Sequence, residues 1–308
     1  MIHPKPAEDT YMFDLKNYLR IQRDCLNGAL SDYISRMCVS ERMRQPVQYS
    51  LMAGGKRVRP ILCMAACEAV NGNPGTALPA ACALEMVHTY SLIHDDLPAL
   101  DNDTLRRGQA TCHVKFDEAL AILTGDALLT MAFEVLAEAG LKGNTNQAHN
   151  WVQVIATIST AAGCRGMVEG QARDLAFEGK KLSAEQLHDL HALKTGALFR
   201  ASVVSGGQIG GGTEEQVDHL SLYADRIGLA FQVVDDILNV TGDPKLLGKA
   251  VGTDQARMKN TYPALMGLEE SKKYAHSLID DALKALIIFD NKAEPLRAIA
   301  RYIVERQR

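Results

Sequence analysis

The sequence has no CxxC pair, almost no alternation of polar and apolar residues, no basic excess and no uninterrupted apolar stretch of spanning length. Seven cysteines, at 25, 38, 63, 67, 82, 112 and 164, are scattered through apolar stretches and read as reduced thiols, not a disulfide framework. Cys63 and Cys67 stand one helical turn apart and could share a metal. No Cys or His pair with zinc spacing follows them, so core packing is the better reading. A formal net charge of −4 argues against nucleic acid as the main partner, because a binder of the phosphate backbone shows a basic face. The opening residues, MIHPKPAEDTYMFDLKNYLRI, lack a basic leader followed by a long apolar run, so no signal peptide is expected. Charges interrupt the apolar runs well before about 18 residues. No membrane-spanning helix is expected, and a cytoplasmic location is.

What the sequence does hold is helical periodicity. Windows 80–97, 117–139, 151–170 and 217–240 carry apolar residues three, four and seven apart. Short connections rich in Gly, Asn and Pro separate them: NGNPG at 71–75, GLKGNTN at 140–146 and GGGT at 210–213. The 308 residues are 47% hydrophobic, with no linker or break in composition, which predicts one all-α domain over 1–308. ALLTMAFEVLA and DRIGLAFQVV are apolar nearly all round and belong in the crowded centre of a helical bundle.

In this setting HDDLPALDND, residues 94–103, gathers four aspartates in ten positions. Asp95, Asp96 and Asp101 follow an apolar helix that Pro98 ends or kinks. A helix C-terminus already carries partial negative charge, so acids there are destabilising unless a cation joins them. Hard carboxylate oxygens suit Mg²⁺, which takes one or two carboxylates, several waters and substrate phosphate. A second cluster, LAFQVVDDILNVTGD at 229–243, again ends an apolar helix in two acids, Asp235 and Asp236. Asn239 lies four residues after Asp235 on the same face, and Asp243 follows Gly242. One such pair alone reads as a solvated helix terminus. Two of them, each preceding a basic segment, read as helix mouths facing one cavity, with several Mg²⁺ ions and a diphosphate between.

Basic residues stand in short motifs around these acids. GGKRVRP, at 54–60, offers Lys56, Arg57 and Arg59 after Gly54 and Gly55, whose backbone lets an anion approach closely. LRRG supplies Arg106 and Arg107, whose forks match phosphate oxygens. KTGALF opens an apolar helix with Lys194 and Thr195, and Lys249 and Lys259 follow the second acidic cluster. Singly each is an ordinary surface charge; together they alternate with the acids around an apolar bundle. His88 precedes Asp95 by seven residues, about two turns down one face, and is placed to meet substrate.

Taken in order, GGKRVRP, HTYSLIHDD, DDLPALD, LRRG, KTGALF and FQVVDDILN resemble the motifs of the trans-isoprenyl diphosphate synthases, over Leu51 to Lys259. The resemblance implies an all-α isoprenoid-synthase bundle, a homodimer, three Mg²⁺ ions and head-to-tail condensation of an allylic diphosphate with isopentenyl diphosphate. It also implies that the departing diphosphate takes the proton lost at the end. By position, Asp95, Asp96, Asp101 and Asp235 would hold Mg²⁺, with Asp236 beside them. Arg106, Lys194, Thr195, Gln232, Lys249 and Lys259 would bind the allylic diphosphate. Gly55, Lys56, Arg59, His88 and Arg107 would bind isopentenyl diphosphate. The second motif departs from the family's DDxxD: Asn239 offers a carbonyl oxygen but no charge.

Product length depends on the depth of the cavity below the aspartates. Ser91 shares the azimuth of Asp95, while Tyr90 lies about 7.5 Å below it and reaches sideways as a floor. The aromatic floor and the DDxxxxD spacing resemble bacterial farnesyl diphosphate synthases, which predicts a C15 product. Geranylgeranyl diphosphate synthesis is the near alternative, and a non-catalytic partner subunit a more distant one. A terpene cyclase would share the fold without needing GGKRVRP.

Overall fold

The computed structural model describes residues 13–143, 145–241 and 260–306. In chain order the helices are α1 (Leu15–Met37), α2 (Glu41–Leu51), α3 (Val58–Ala69), α4 (Leu78–Asp95), α5 (Cys112–Lys115), α6 (Glu118–Leu141), α7 (Thr145–Ala162), α8 (Met167–Ala176), α9 (Ala184–His191), α10 (Ala197–Ile209), α11 (Glu214–Thr241), α12 (Tyr262–Met266), α13 (Leu268–Ala285) and α14 (Glu294–Glu305). The only strands among the described residues are β1 (Leu105–Arg106) and β2 (Gln109–Ala110), a two-residue antiparallel hairpin. The all-α class expected from periodicity is the class observed.

Local chemistry sets the helix starts. Asp14 accepts from Asn17 N at α1, Ser40 from Met43 N at α2 and Asp117 from Leu120 N at α6. Ser183 and Gln186 close a reciprocal capping box at α9. The window 151–170 reads as one helix in the sequence, yet the chain forms α7 and α8 with a break between. A Cβ at Gly166 would fall 2.1 Å from Ala161 O, so the glycine lets the chain turn back on itself there.

Two cores share the bundle. One joins buried residues of α1, α2, α4, α6 and α7, including Leu26, Leu84, Leu128 and Val154. The other joins α3, α10, α11, α13 and α14 around Phe199, Tyr223, Ile227 and Leu296. α10 crosses α3 at close range, since a Cβ on Gly206 would meet Cys63 O at 2.0 Å. Ile227, Ala230 and Val233 are fully buried, as expected of a central α11.

α6 departs from expectation. Its face of Ala121, Leu128, Ala132, Val135 and Leu136 is buried, but Ile122 and Leu123 are 45% and 54% exposed. It therefore lies on the flank of the bundle, with an apolar face uncovered. By length and composition alone α6 would also reach across a bilayer, which the interrupted apolar runs did not suggest. Its packed face is that of a core helix.

Candidate active site

α4 ends where its sequence turns acidic. Beyond it the chain folds back, with Asp101 N donating to Asp95 O at 2.8 Å and Asn102 N to Leu97 O at 3.1 Å. Asn102 takes a left-handed φ of 51°, which asparagine tolerates. This turn brings Asp101 back towards Asp95. Burial, with added repulsion from Asp101 and Asp96 and against the pull of Lys194 and Arg106, pushes Asp95 up to about 6. Asp96 turns inward and is 3% exposed. Arg106 Nε donates to both of its oxygens at 2.8 Å, and Nη2 reaches Oδ1 at 2.5 Å. Asp96, read from the sequence as a metal ligand, is thus held by Arg106 at both oxygens. The hairpin β1–β2 returns Arg106 to the helix end that the acids occupy.

The GGKRVRP loop is shaped by backbone as well as by charge. Gly54 and Gly55 have φ of 84° and 123°, and Arg57 has 53°. A Cβ on Gly55 would lie 2.7 Å from the Arg107 guanidinium. The bare glycine is what lets Arg107 dock on this loop, where its Nη1 donates to Gly54 O. Arg57 differs from its neighbours. It is 3% exposed and donates to Glu85, to Leu51 O at 2.6 Å and to Asn27 at 3.3 Å. Listed in sequence as a cation equal to Lys56 and Arg59, it instead pins the loop from beneath.

Arg59 stands 3.4 Å from His88 Nε2 through Nη1, over the Phe199 ring at 4.7 Å, with its buried Nε lacking a protein partner. Burial draws Arg59 down to about 10, so it stays cationic at neutral pH. Burial and the surrounding guanidinium groups hold His88 well below the usual imidazole range, so it is a neutral ring. Gly55, Lys56, Arg59, His88 and Arg107 therefore share one basic region.

Lys194 and Thr195 lie in a π-helical turn, Ala192–Gly196, between α9 and α10. Such turns mark functional stretches of helices. Gly170 of α8 makes room for it, because a Cβ there would sit 2.3 Å from Lys194 N. Lys194 Nζ donates to Asp174 at 2.6 Å, and its charge also acts on Asp95. Thr195 Oγ1 donates to Gln232 at 3.2 Å, and Gln232 Nε2 donates to Asp236 at 3.0 Å.

Asp235 and Asp236 do not end their helix as the sequence suggested, because α11 runs on to Thr241 through Ile237, Leu238 and Val240, yet the two acids divide as on α4. Asp236 is 3% exposed and also accepts from Tyr262 N at 3.0 Å. The Asp235 side chain is 44% exposed, and Arg306 Nη2 meets it at 2.6 Å. The charge of Asp235 is felt by Arg59 on α3. The two acidic pairs are thus tied into one neighbourhood, through Lys194 and Thr195 on one side and Arg59 on the other. Half-buried Asn239 lies one turn beyond Asp235. Lys249, Lys259 and Asp243 fall outside the described residues.

Asp174 and Arg306 escaped the sequence reading. Asp174 stands 20 positions before its partner Lys194, and Arg306 71 positions after Asp235. No spacing rule links residues so far apart.

The donor set fits Mg²⁺. Asp95, Asp101 and Asp235 offer hard oxygens, and Asp95 carries a raised pKa that a cation would relieve. Among the described residues no three acid, histidine or cysteine side chains cage a metal unaided.

Known proteins place the chain among similar ones. The family model described as "Polyprenyl synthetase" matches residues 40–294. Geranylgeranyl diphosphate synthase of Cyanophora paradoxa is 46% identical over 96% of this chain and 97% of its own length. The heterodimeric geranylgeranyl pyrophosphate synthase large subunit 1 of Arabidopsis thaliana is also 46% identical, over 96% of this chain and 80% of its own. The crystal structure of an FPP/GFPP synthase from Zymomonas mobilis superposes with a TM-score of 0.83 at 37% identity, covering 94% of this chain and 99% of that one. With the motifs, the bundle and these relatives in agreement, the chain belongs to the polyprenyl synthetase family, the trans-isoprenyl diphosphate synthases, and is a prenyltransferase.

Proposed function

We propose that this chain condenses an allylic diphosphate with isopentenyl diphosphate, dependent on Mg²⁺, and releases geranylgeranyl diphosphate. The observation that carries the chemistry is the single neighbourhood holding the acidic pairs of α4 and α11 and two basic groups. Gly55, Lys56, Arg59, His88 and Arg107 bind isopentenyl diphosphate, with the unpartnered Arg59 Nε turned to an anion. Lys194, Thr195, Gln232 and Arg106 bind the allylic diphosphate, and Lys249 and Lys259 are assigned to it by motif. Asp95, Asp101 and Asp235 would hold Mg²⁺, which when bound would supply positive charge to the leaving diphosphate. Asp96 orients Arg106, and Asp236 orients Gln232. As the allylic C–O bond breaks, Lys194 and Arg106 take up charge developing on the leaving group. The apolar walls of the bundle keep water from the carbocation. The isopentenyl double bond then attacks the carbocation, forming the new C–C bond, and the resulting cation loses a proton to the departed diphosphate.

The C20 product is supported by the relatives at 46% identity, whose names both specify geranylgeranyl synthesis. Tyr90 favours a C15 product. It is 7% exposed on α4, with its ring edge-on to His94 at 5.8 Å. Its hydroxyl pKa is raised by burial and by Asp95, which places it on the acid side of the helix. Ser91 donates to His88 O at 2.9 Å and leaves the floor to its neighbour. Incubating the purified chain with isopentenyl and geranyl diphosphates and Mg²⁺, then sizing the products, separates these readings. A C20 end product from the wild type, unchanged in Tyr90→Ala, supports the first. A C15 end product that lengthens in Tyr90→Ala replaces it with the second. No condensation at all would turn the assignment towards a non-catalytic partner.

The open face of α6 is assigned to a second copy of the chain. Ile122 and Leu123, with Val114 49% exposed on α5, form an apolar flank beside the acidic site. Sedimentation of the purified protein reads this directly, a monomer at micromolar concentration excluding it.

A further inference from the structure

Buried Arg57 and Arg306 and half-buried Arg297 serve different ends. Arg57 is satisfied by Glu85, Leu51 O and Asn27 beneath the basic loop. Arg297 donates to the carbonyls of Asp290, Leu286 and Phe289 and closes a turn. Arg306, at the end of α14, has 3% of its side chain exposed, and its carboxylate partner is an acid of the active site.

The Arg306 guanidinium lies 4.0 Å from the Phe231 ring centroid. Its Nη2 donates to Phe231 O at 3.0 Å and to Asp235 at 2.6 Å. Its Nε is buried without a partner. The backbone N–H of Arg306 donates to Tyr302 O at 3.0 Å, so the guanidinium is carried on the last turn of α14. The same side chain lines a cavity of about 770 Å³ together with Lys56 of the basic loop. A cation arriving at Asp235 meets a carboxylate whose charge is already answered, and two positive charges on one carboxylate repel.

We propose that Arg306 is the resident counter-cation of Asp235, held there in the metal-free protein and surrendered when Mg²⁺ binds, so that the seating of the C-terminal end of α14 is coupled to metal loading. This rests on the reading of Asp235 as a metal ligand in a prenyltransferase. The incomplete hydrogen bonding of the guanidinium makes it a replaceable partner. The aromatic ring and the carbonyl of Phe231 keep it nearby once Asp235 is taken. Nη2 alone makes both bonds, while the planar guanidinium lies over the Phe231 ring, a stacked seat that Lys does not reproduce.

The test uses the full chain, Mn²⁺ and inorganic diphosphate, with bound and free Mn²⁺ counted by electron paramagnetic resonance. Arg306→Gln removes the competitor and is expected to bind Mn²⁺ about three- to tenfold more tightly at low salt, with the gain shrinking as salt screens the pair. Arg306→Lys should fall between that variant and the wild type. Unchanged or weaker Mn²⁺ binding by Arg306→Gln overturns the proposal. A second measurement needs no substitution. In the wild type, amide hydrogen exchange at the end of α14 should quicken severalfold when Mg²⁺ and diphosphate are added. Exchange that is unaltered or slowed overturns the coupling. A wild type that binds Mn²⁺ through Asp235 but forms no condensation product sinks the proposed function, while the Mn²⁺ result still decides the role of Arg306.

Discussion

α4 ends in an Asp-Asp pair, α11 carries the same pair within its length, and the two have answered the same problem by different means. In each, the second acid is buried and tied to protein, Asp96 to Arg106 and Asp236 to Gln232 and Tyr262 N. In each, the first acid is the more exposed of the two. At α4 the counter-charge is local: Arg106 stands ten residues away and returns through a hairpin. At α11 it is imported from the far end of the chain, through Arg306. The α4 end also crowds Asp101 and Asp96 against Asp95 and raises its pKa. The lesson is that one acid of each pair builds the mouth and the other works in it. A local partner makes a fixed mouth, and a distant partner makes one that movement of another helix can open.

The largest test of this division is activity. Asp95→Asn should lower kcat/KM for condensation by about 10³-fold, and Asp235→Asn by about 10²-fold. Equal losses would erase the asymmetry between the two ends. The buried partners should instead show themselves in stability. In Asp236→Asn a single amide oxygen replaces two carboxylate acceptors, leaving Gln232 or Tyr262 N unmatched, at a cost of about 2–3 kcal/mol in urea unfolding. Asp96→Asn should cost less, about 1–2 kcal/mol, because the Arg106 side chain is 32% exposed and can turn to water. A reversed order would mean that the α4 mouth is the more tightly built.

A smaller effect follows from pH. Asp95 sits at about 6 in the folded protein against an ordinary 3.8, so its ionised form is disfavoured on folding. Its contribution to stability is therefore fully present below about pH 4 and is lost as pH rises through about 6. Asp95→Asn should stabilise the metal-free protein at pH 7 by about 1–2 kcal/mol, after allowance for solvent screening, with the gain vanishing below about pH 4. Melting curves across that range, without metal, read the sign. Asp235→Asn should show no such gain, because it releases Arg306. The smallest change is Asn239→Asp, which restores the absent charge one turn beyond Asp235. Mg²⁺ binding should tighten by about two- to fivefold, read calorimetrically with inorganic diphosphate.

Much of the site was legible before any fold was known, because its acids and bases lie within short segments whose order is itself informative. Asp95, Asp101, Arg106 and Arg107 share one turn and hairpin, and His88 and Asp95 share one helix. What was illegible falls into two kinds. The inward turn of Asp96 and Arg57 depends on side chains packed beneath them, and a carboxylate or guanidinium reads alike in sequence whichever way it points. Asp174 and Arg306 reach their partners only across helices distant in the chain. The helices were foreseen from periodicity, but the break between α7 and α8 was missed because glycines within an apolar window do not announce which of them will turn. The flank position of α6 was missed for a related reason: an apolar helix signals that it will be covered, not by what.

The amino-acid sequence alone determined that the protein would be helical, that α4 would stop at its acids and that a second acidic pair would sit on another apolar helix, since periodicity and the stop before Pro98 are local matters of side-chain spacing and backbone freedom. The packing of α3, α10, α11 and α14 decided which acid of each pair would be buried, which arginines would be tied down beneath the loops, and which cation would meet Asp235. Those outcomes depend on burial and on through-space distances that form only when segments far apart in the chain pack together.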